Sequence, residues 1–190
     1  MPLTLGTLTW LRAVDRPDLL APSTAAAVAA WVATDAEVAD AVLVTEIDPD
    51  LADTAAMTEA YDLPLAVSAN CVLVAGRRAG DERIAAAVVR ATTRADVNNA
   101  VKRLLDVRKA SFLPMDRAVA DSGMEYGGIT PLGLPGGYRI LLDTGVAVED
   151  AAAGGTVIIG SGLRRSKIAL PGALLARAPG VEVVDGLGLA

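Results

Sequence analysis

The sequence predicts a single α+β domain with a curved, barrel-like mixed sheet and flanking helices, and three observations carry that prediction. First, 190 residues, 53% of them hydrophobic and 21% charged, suffice for one buried core and hardly for two. Second, β-branched runs and helix-capping patterns follow one another in irregular order, unlike a regular βαβ array. Third, tight hairpins connect short strands, and neither an internal repeat nor a long linker divides the chain.

Residues 1–40 read as a lead-in segment and one helix, and residues 41–190 as the main domain. Prolines in Arg16-Pro17-Asp18 and Ala21-Pro22 interrupt any helix beginning near Trp10. Ser23 and Thr24 offer N-caps for an alanine-rich helix over 24–33, and Thr34 or Asp35 caps a further turn. The β-branched run 41–47 predicts a strand stopped by Asp48-Pro49; Asp50 or Asp53 then opens a helix to about Tyr61, ended by Pro64. Strands over 71–75 and 83–89 flank a polar, glycine-bounded link and make a long hairpin. Thr93 or Asp96 caps an amphipathic helix over 97–105, with Val97, Val101, Leu104 and Leu105 as its apolar stripe. Pro114 suits the first turn of a short helix that Gly123 ends. Beyond a glycine- and proline-dense loop, short strands are predicted at 139–143, 156–160, 166–170 and 181–184, with a short helix over 171–178.

The absence of histidine excludes Ser-His-Asp and Cys-His triads, histidine-ligated zinc and the two-histidine iron site. A single cysteine, Cys71, excludes an internal disulfide and fits a reducing, cytoplasmic setting; with no histidine and no preceding basic neighbour it reads as a small hydrophobe. A net charge of −6 argues against a protein coated in positive charge for nucleic acid, although a local basic face remains compatible with it. No apolar run reaches the ~18 residues of a membrane span, and the first twenty residues lack the charged and apolar regions of a secretory signal, so no membrane partner is expected.

Two glycine-rich segments stand out. Gly127-Gly128-Ile129-Thr130-Pro131-Leu132-Gly133 opens a stretch in which absent side chains would let backbone N–H groups approach a ligand; a surface loop with tight turns is the alternative. Gly160, Ser161 and Gly162 end an apolar run and precede Arg164, Arg165 and Lys167. Arg165 replaces the third glycine of a dinucleotide fingerprint, Ile159 breaks the nucleophile-elbow spacing, and no Walker A loop is present. What survives is a backbone donor pocket at Gly160, Ser161 and Gly162, with Arg164, Arg165 and Lys167 available for phosphate; an ordinary turn with solvated charges is the alternative. Asn70, at a strand start, either caps that strand or points into a pocket.

The loop at 127–133 resembles the hallmark of the YbaK family of aminoacyl-tRNA deacylases, also found as the editing insertion of bacterial prolyl-tRNA synthetases. Supporting segments occur in the same order: Asp53-Thr54-Ala55-Ala56, Thr93-Arg94-Ala95-Asp96-Val97, Arg108-Lys109-Ala110-Ser111-Phe112, and the turn at Gly160, Ser161 and Gly162. The resemblance covers roughly residues 42–186, so 41–190 is expected to be a YbaK-like domain. It implies a site in which backbone groups and the ribose hydroxyl of the substrate assist water, with no metal and no cofactor. In one respect the sequence departs from the family. The usual lysine at a strand start aligns with Asn70, which donates a hydrogen bond but supplies no charge, leaving Lys109 or Lys167 to restore it.

The resemblance therefore implies a trans-editing deacylase acting on the 3′ end of a mischarged aminoacyl-tRNA. Asn70, Gly160, Ser161 and Gly162 would be catalytic; Thr54, the seven residues of the 127–133 loop, Arg164, Arg165 and Lys167 would bind substrate. An aminoacyl-tRNA synthetase and a second copy of the chain are further expected partners. The alternatives are a non-catalytic module that binds aminoacyl-tRNA or a small aminoacyl-like ligand, favoured by the missing lysine, and a homodimeric scaffold with a vestigial pocket.

Overall fold

The computed structural model describes residues 3–148 and 155–190; Met1 and Pro2 of the expected lead-in lie outside the described residues. Within the expected lead-in, residues 3–12 are regular structure. They form an antiparallel hairpin, β1 (Leu3–Leu5) and β2 (Leu8–Arg12), in register Leu3↔Trp10. The cause is a period-two pattern, in which Leu8 and Trp10 turn inward while Thr9 and Leu11 turn outward. At the hairpin's turn, Gly6 adopts φ +60°, and a Cβ there would lie 2.1 Å from the Tyr61 carbonyl oxygen.

The hairpin extends a five-stranded sheet ordered β1-β2-β3-β10-β9, where β3 is Leu43–Glu46, β9 Thr156–Gly160 and β10 Ser166–Pro171. The strands expected at 71–75 and 83–89 are longer than predicted, β4 (Ala69–Arg78) and β5 (Asp81–Arg90), joined through Ala79 and Gly80. With β7 (Ala110–Phe112), β8 (Arg139–Asp143) and β11 (Val181–Val184) they form a second sheet, β11-β8-β5-β4-β7, in which the β5–β8 and β8–β11 pairs are parallel. A two-stranded ribbon pairs β6 (Arg94–Ala95) with β12 (Gly188–Leu189). Neither large sheet closes on itself, so the architecture is mixed α+β with open sheets rather than a barrel. An isolated parallel bridge, Ser68↔Ile158, links the residue preceding β4 to β9 of the first sheet.

Helices cover these sheets. α1 (Pro22–Thr34) starts earlier than expected, because Pro22 fits the first turn; Ser23 and Thr24 lie within the helix instead of capping it. α2 is Val38–Ala41, and α3 (Thr54–Ala60) is capped by Asp53, whose side chain accepts from the Ala55 N–H at 3.0 Å. The helix expected over 97–105 begins as a π-helical turn, Val97–Val101, in which the Val101 N–H donates to the Asp96 carbonyl at 3.0 Å, and becomes α-helical only over α4 (Lys102–Leu104). α5 (Met115–Ser122) stops at Gly123, φ +66°, as its sequence predicts. Two short helices, α6 (Thr144–Ala147) and α7 (Gly172–Leu175), complete the set among the described residues.

Alternation along the strands divides the core. In β4 and β5, Val74, Ala85, Ala87 and Val89 face one cluster with Val97, Val101 and Leu187, whereas Leu73, Ile84 and Ala86 face another with Leu113 and Ala118. Around the first sheet, Trp31, Val38, Leu170 and Leu174 join one cluster, and Trp10, Ile47, Met57 and Ile158 fill another. Arg90, buried at the end of β5, donates to the carbonyls of Gly145 and Ala66, each at 2.9 Å, and ties three segments together. No helix among the described residues is long and apolar enough to cross a membrane.

Candidate active site

The bridge between the sheets positions the site. Two positions beyond the parallel Ser68↔Ile158 pair stand Asn70 of β4 and Gly160 at the end of β9, which line one cavity, and Gly160 pairs with Lys167 of β10. Asn70, Gly160 and Lys167 therefore share the wall of one cavity of about 720 Å³, and Thr54, Gly127, Ile129 and Arg164 also line it.

Each polar group on this wall is oriented by a neighbour. The Thr54 hydroxyl donates to Asn70 Oδ1 at 3.0 Å, which directs the Asn70 amide N–H groups away from α3. Lys167 is 6% exposed, and its Nζ donates to the carbonyls of Ala52 at 2.9 Å and Gly127 at 3.2 Å. Burial lowers its pKa from the ordinary 10.5 to about 8, helped by repulsion from Arg164 and opposed by Asp53. Arg164 stands at the rim, donating to the Tyr126 carbonyl at 3.2 Å with its guanidinium carbon 6.0 Å from the centre of the Tyr126 ring. Cys71 also lines the cavity, but burial raises its thiol pKa to about 12, so it is protonated and a poor nucleophile at neutral pH.

The remaining sequence-selected residues lie behind this wall. Ser161 is fully buried, with its Oγ 2.8 Å from Ser166 Oγ, 3.0 Å from the Ser166 carbonyl and 3.2 Å from that of Leu163. Gly162 donates its N–H to the Gly128 carbonyl at 2.7 Å, and a Cβ on it would lie 2.3 Å from Ala21 Cβ. A Cβ on Gly128 would lie 2.6 Å from the Leu163 backbone, and one on Gly160 would lie 2.3 Å from the Gly128 carbonyl oxygen. These glycines thus let two backbone segments lie flat on each other, and the space beside Gly128 is filled by Leu163 rather than by the cavity. Thr130 and Pro131 are buried, Leu132 joins the large core cluster, and a Cβ on Gly133 would lie 2.4 Å from the Ser23 carbonyl oxygen. Arg165 turns outward to Glu46, at 3.3 Å, and to the Asp18 carbonyl, at 2.7 Å.

The cavity also uses residues that the sequence alone did not single out as a site: Ala52, Met57, Leu65 and Tyr126. Tyr126 precedes the glycine loop and is 56% exposed, so an aromatic beside that loop was the one available signal. Lys109 is exposed and lines neither this cavity nor its smaller neighbour. Among the described residues, no cluster of three or more His, Cys, Asp or Glu is placed to hold a metal ion.

Comparison with known proteins agrees with this architecture. Of the solved structures similar to this chain, the hypothetical protein APE2540 superposes with a TM-score of 0.69 at 16% identity, covering 86% of this chain and 99% of the other. A candidate trans-editing enzyme for prolyl-tRNA synthetase superposes with a TM-score of 0.67 at 19% identity, covering 90% of this chain and 99% of its own. At these identities the likeness concerns the fold. No curated protein sequence matches the chain. A family model described as the aminoacyl-tRNA editing domain matches residues 48–178, which span every residue lining the larger cavity, and the chain belongs to that family.

Proposed function

We propose that the protein is a trans-editing aminoacyl-tRNA deacylase, which hydrolyses the ester between an amino acid and the terminal ribose of a mischarged tRNA. The observation that carries this reading is the convergence of the Asn70 amide, the side-chain-free edge at Gly160 and the buried Lys167 ammonium on one cavity. Support comes from the family and from the solved relative described as a candidate trans-editing enzyme.

Ester hydrolysis requires a positioned carbonyl, a water molecule and stabilisation of the oxyanion that forms as water attacks. Asn70, held by Thr54, donates an amide N–H to the acyl oxygen. Lys167 has three donors, two of them occupied by the carbonyls of Ala52 and Gly127; the third and the positive charge face the developing oxyanion. The charge usual at the position of Asn70 is thereby supplied from β10. As the tetrahedral intermediate collapses, the C–O bond to the ribose breaks, one proton of the attacking water passes to the ribose oxygen, the other is released to solvent, and the amino acid leaves as its carboxylate. The neighbouring ribose hydroxyl assists the water, so no nucleophilic side chain is needed. Arg164 at the rim meets the acceptor-strand phosphates, and the few contacts needed for a tRNA end are compatible with the net charge of −6.

A deacylation panel tests the proposal: purified protein against tRNAs carrying cognate and mismatched amino acids, at low and physiological salt. Selective turnover of one mismatched ester is the expected result. Binding of charged tRNA without turnover of any ester would replace it by the reading as a binding module, which the asparagine at position 70 favours.

A further inference from the structure

A second cavity, of about 550 Å³, adjoins the first, and both are lined by Asn70 and Val72. These two residues are separated by one position on β4 and so face the same side of the sheet. The two cavities therefore lie side by side along one strand face, with Asn70 at their boundary.

The walls of the second cavity differ in chemistry from those of the first. On one side stands Phe112, the only phenylalanine in the chain, 63% exposed at the edge of the second sheet. Both tryptophans, by contrast, are buried, so the exposed ring is not a consequence of an aromatic-rich composition. The cavity is also lined by Thr93, by Arg94 of β6 and by Asn98 of the π-helical turn. The Asp96 carboxylate on this rim accepts from the Asn99 backbone N–H and side-chain amide, each at 3.1 Å, which holds the turn in shape. Arg94 and Asn98 are both exposed, and Arg94 forms no ion pair among the described residues, so both polar heads are open to a ligand. An exposed aromatic face, an uncommitted amide and an unpaired guanidinium at one cavity match a purine base, its hydrogen-bonding edge and a phosphate.

The geometry points to the second cavity as the seat of the terminal adenosine of the tRNA: its base stacks on Phe112, Asn98 meets the base edge, and Arg94 meets the adjoining phosphate. This placement rests on the deacylase reading, because it puts the ribose at the boundary between the cavities. The ester then falls at Asn70 and the amino acid enters the larger cavity, beside Met57 and Leu65.

The test uses an uncharged CCA trinucleotide, which carries no ester, and maps its binding by backbone amide chemical shifts in the full chain. Saturable shifts clustered at residues 93–99 and at Phe112 are expected. Phe112→Ala should weaken binding by about fivefold or more, and Phe112→Tyr should retain it. Both replacements are at an exposed position, so the fold is kept; Asn98→Ala gives an independent second variant. In deacylation, Phe112→Ala should raise KM and leave kcat nearly unchanged. Shifts confined to Tyr126 and Arg164, or no shifts at millimolar trinucleotide, would overturn the placement. Loss of the hydrolytic reading alone appears differently: shifts at residues 93–99 with no turnover of any ester.

Discussion

The two walls of the larger cavity are built by opposite means. On the β4 side, Asn70 and Thr54 present side chains that bond to each other across one 3.0 Å contact and otherwise face open space. On the other side, the loop at 127–133 and the turn at 160–162 meet backbone to backbone, through the Gly162 to Gly128 hydrogen bond and the Glu125 to Gly162 hydrogen bond at 2.8 Å. Chemistry on the first wall can change by substitution without disturbing the fold. The second wall cannot, because its glycines are needed for close approach of protein to protein. That difference accounts for how an asparagine can stand where the family resemblance places a lysine while the glycine loop persists intact.

The largest effect is expected on the backbone wall. Gly128→Val drives new atoms into the Leu163 backbone and should destabilise the protein by about 3 kcal/mol in a denaturant titration. Gly136→Ala, in the same glycine-rich stretch but with nothing within 4 Å of its new Cβ, should stay within about 0.5 kcal/mol of the parent. Equal effects at the two positions would abolish the distinction between the walls. On the side-chain wall, Asn70→Ala should lower kcat/KM for ester hydrolysis about tenfold or more with the unfolding midpoint unchanged. Parental activity in that variant would remove Asn70 from the site.

Ser161→Ala provides a smaller, opposite signature. The hydroxyl is buried among Leu163 and Ser166, so its loss should cost about 1 kcal/mol of stability and leave deacylation per folded molecule intact. A loss of turnover beyond the folded fraction would return Ser161 to the catalytic wall.

Lys167 belongs to both walls, since it carries charge on the cavity while clamping the carbonyls of Ala52 and Gly127. Its pKa is about 8 when folded and near 10.5 when exposed, so above pH 8 the unfolded chain holds the proton that the folded chain releases. Stability should therefore rise between about pH 8 and pH 9. Beyond that, the raised pKa values of Cys71 and Tyr138 act in the opposite direction, because the unfolded chain deprotonates first. Chemical denaturation at pH 8 and pH 9 measures the slope, and Lys167→Met should flatten it; an unchanged slope would assign the rise to another group. The smallest effect is expected at Arg165, whose exposed pair with Glu46 should contribute about 0.5 kcal/mol, with no change in turnover on Arg165→Ala.

Much of this organisation was legible along the chain, and the failures share a cause. Local signals worked where the responsible atoms are neighbours in sequence: Asp53 caps α3, Gly123 ends α5, and the β-branched runs become β3, β8, β9 and β10. The π-helical turn at 97–101 escaped because its apolar stripe is also compatible with an α-helix, and only packing against β5 and Leu187 selects the wider turn. The hairpin at residues 3–12 escaped because its strands, three and five residues long, are too short for the alternation to stand out from a mixed apolar segment. Glycine spacing marked a loop of which Gly127 and Ile129 line the cavity, yet it could not distinguish a glycine beside the cavity from one needed by Leu163.

The sequence by itself determined the fold class, the exclusion of histidine and disulfide chemistry, the glycine loop and the asparagine in a lysine's place. The first three are matters of composition or of short spacing, and the fourth is what the family resemblance implies. Only the tertiary structure decided that Lys167 and Asn70 line one cavity, that Ser161 and Arg165 turn away, and that a second cavity shares the Asn70 boundary. Those facts depend on contacts between segments far apart in the chain, such as the Ser68↔Ile158 bridge across ninety positions, which no local preference along the chain encodes.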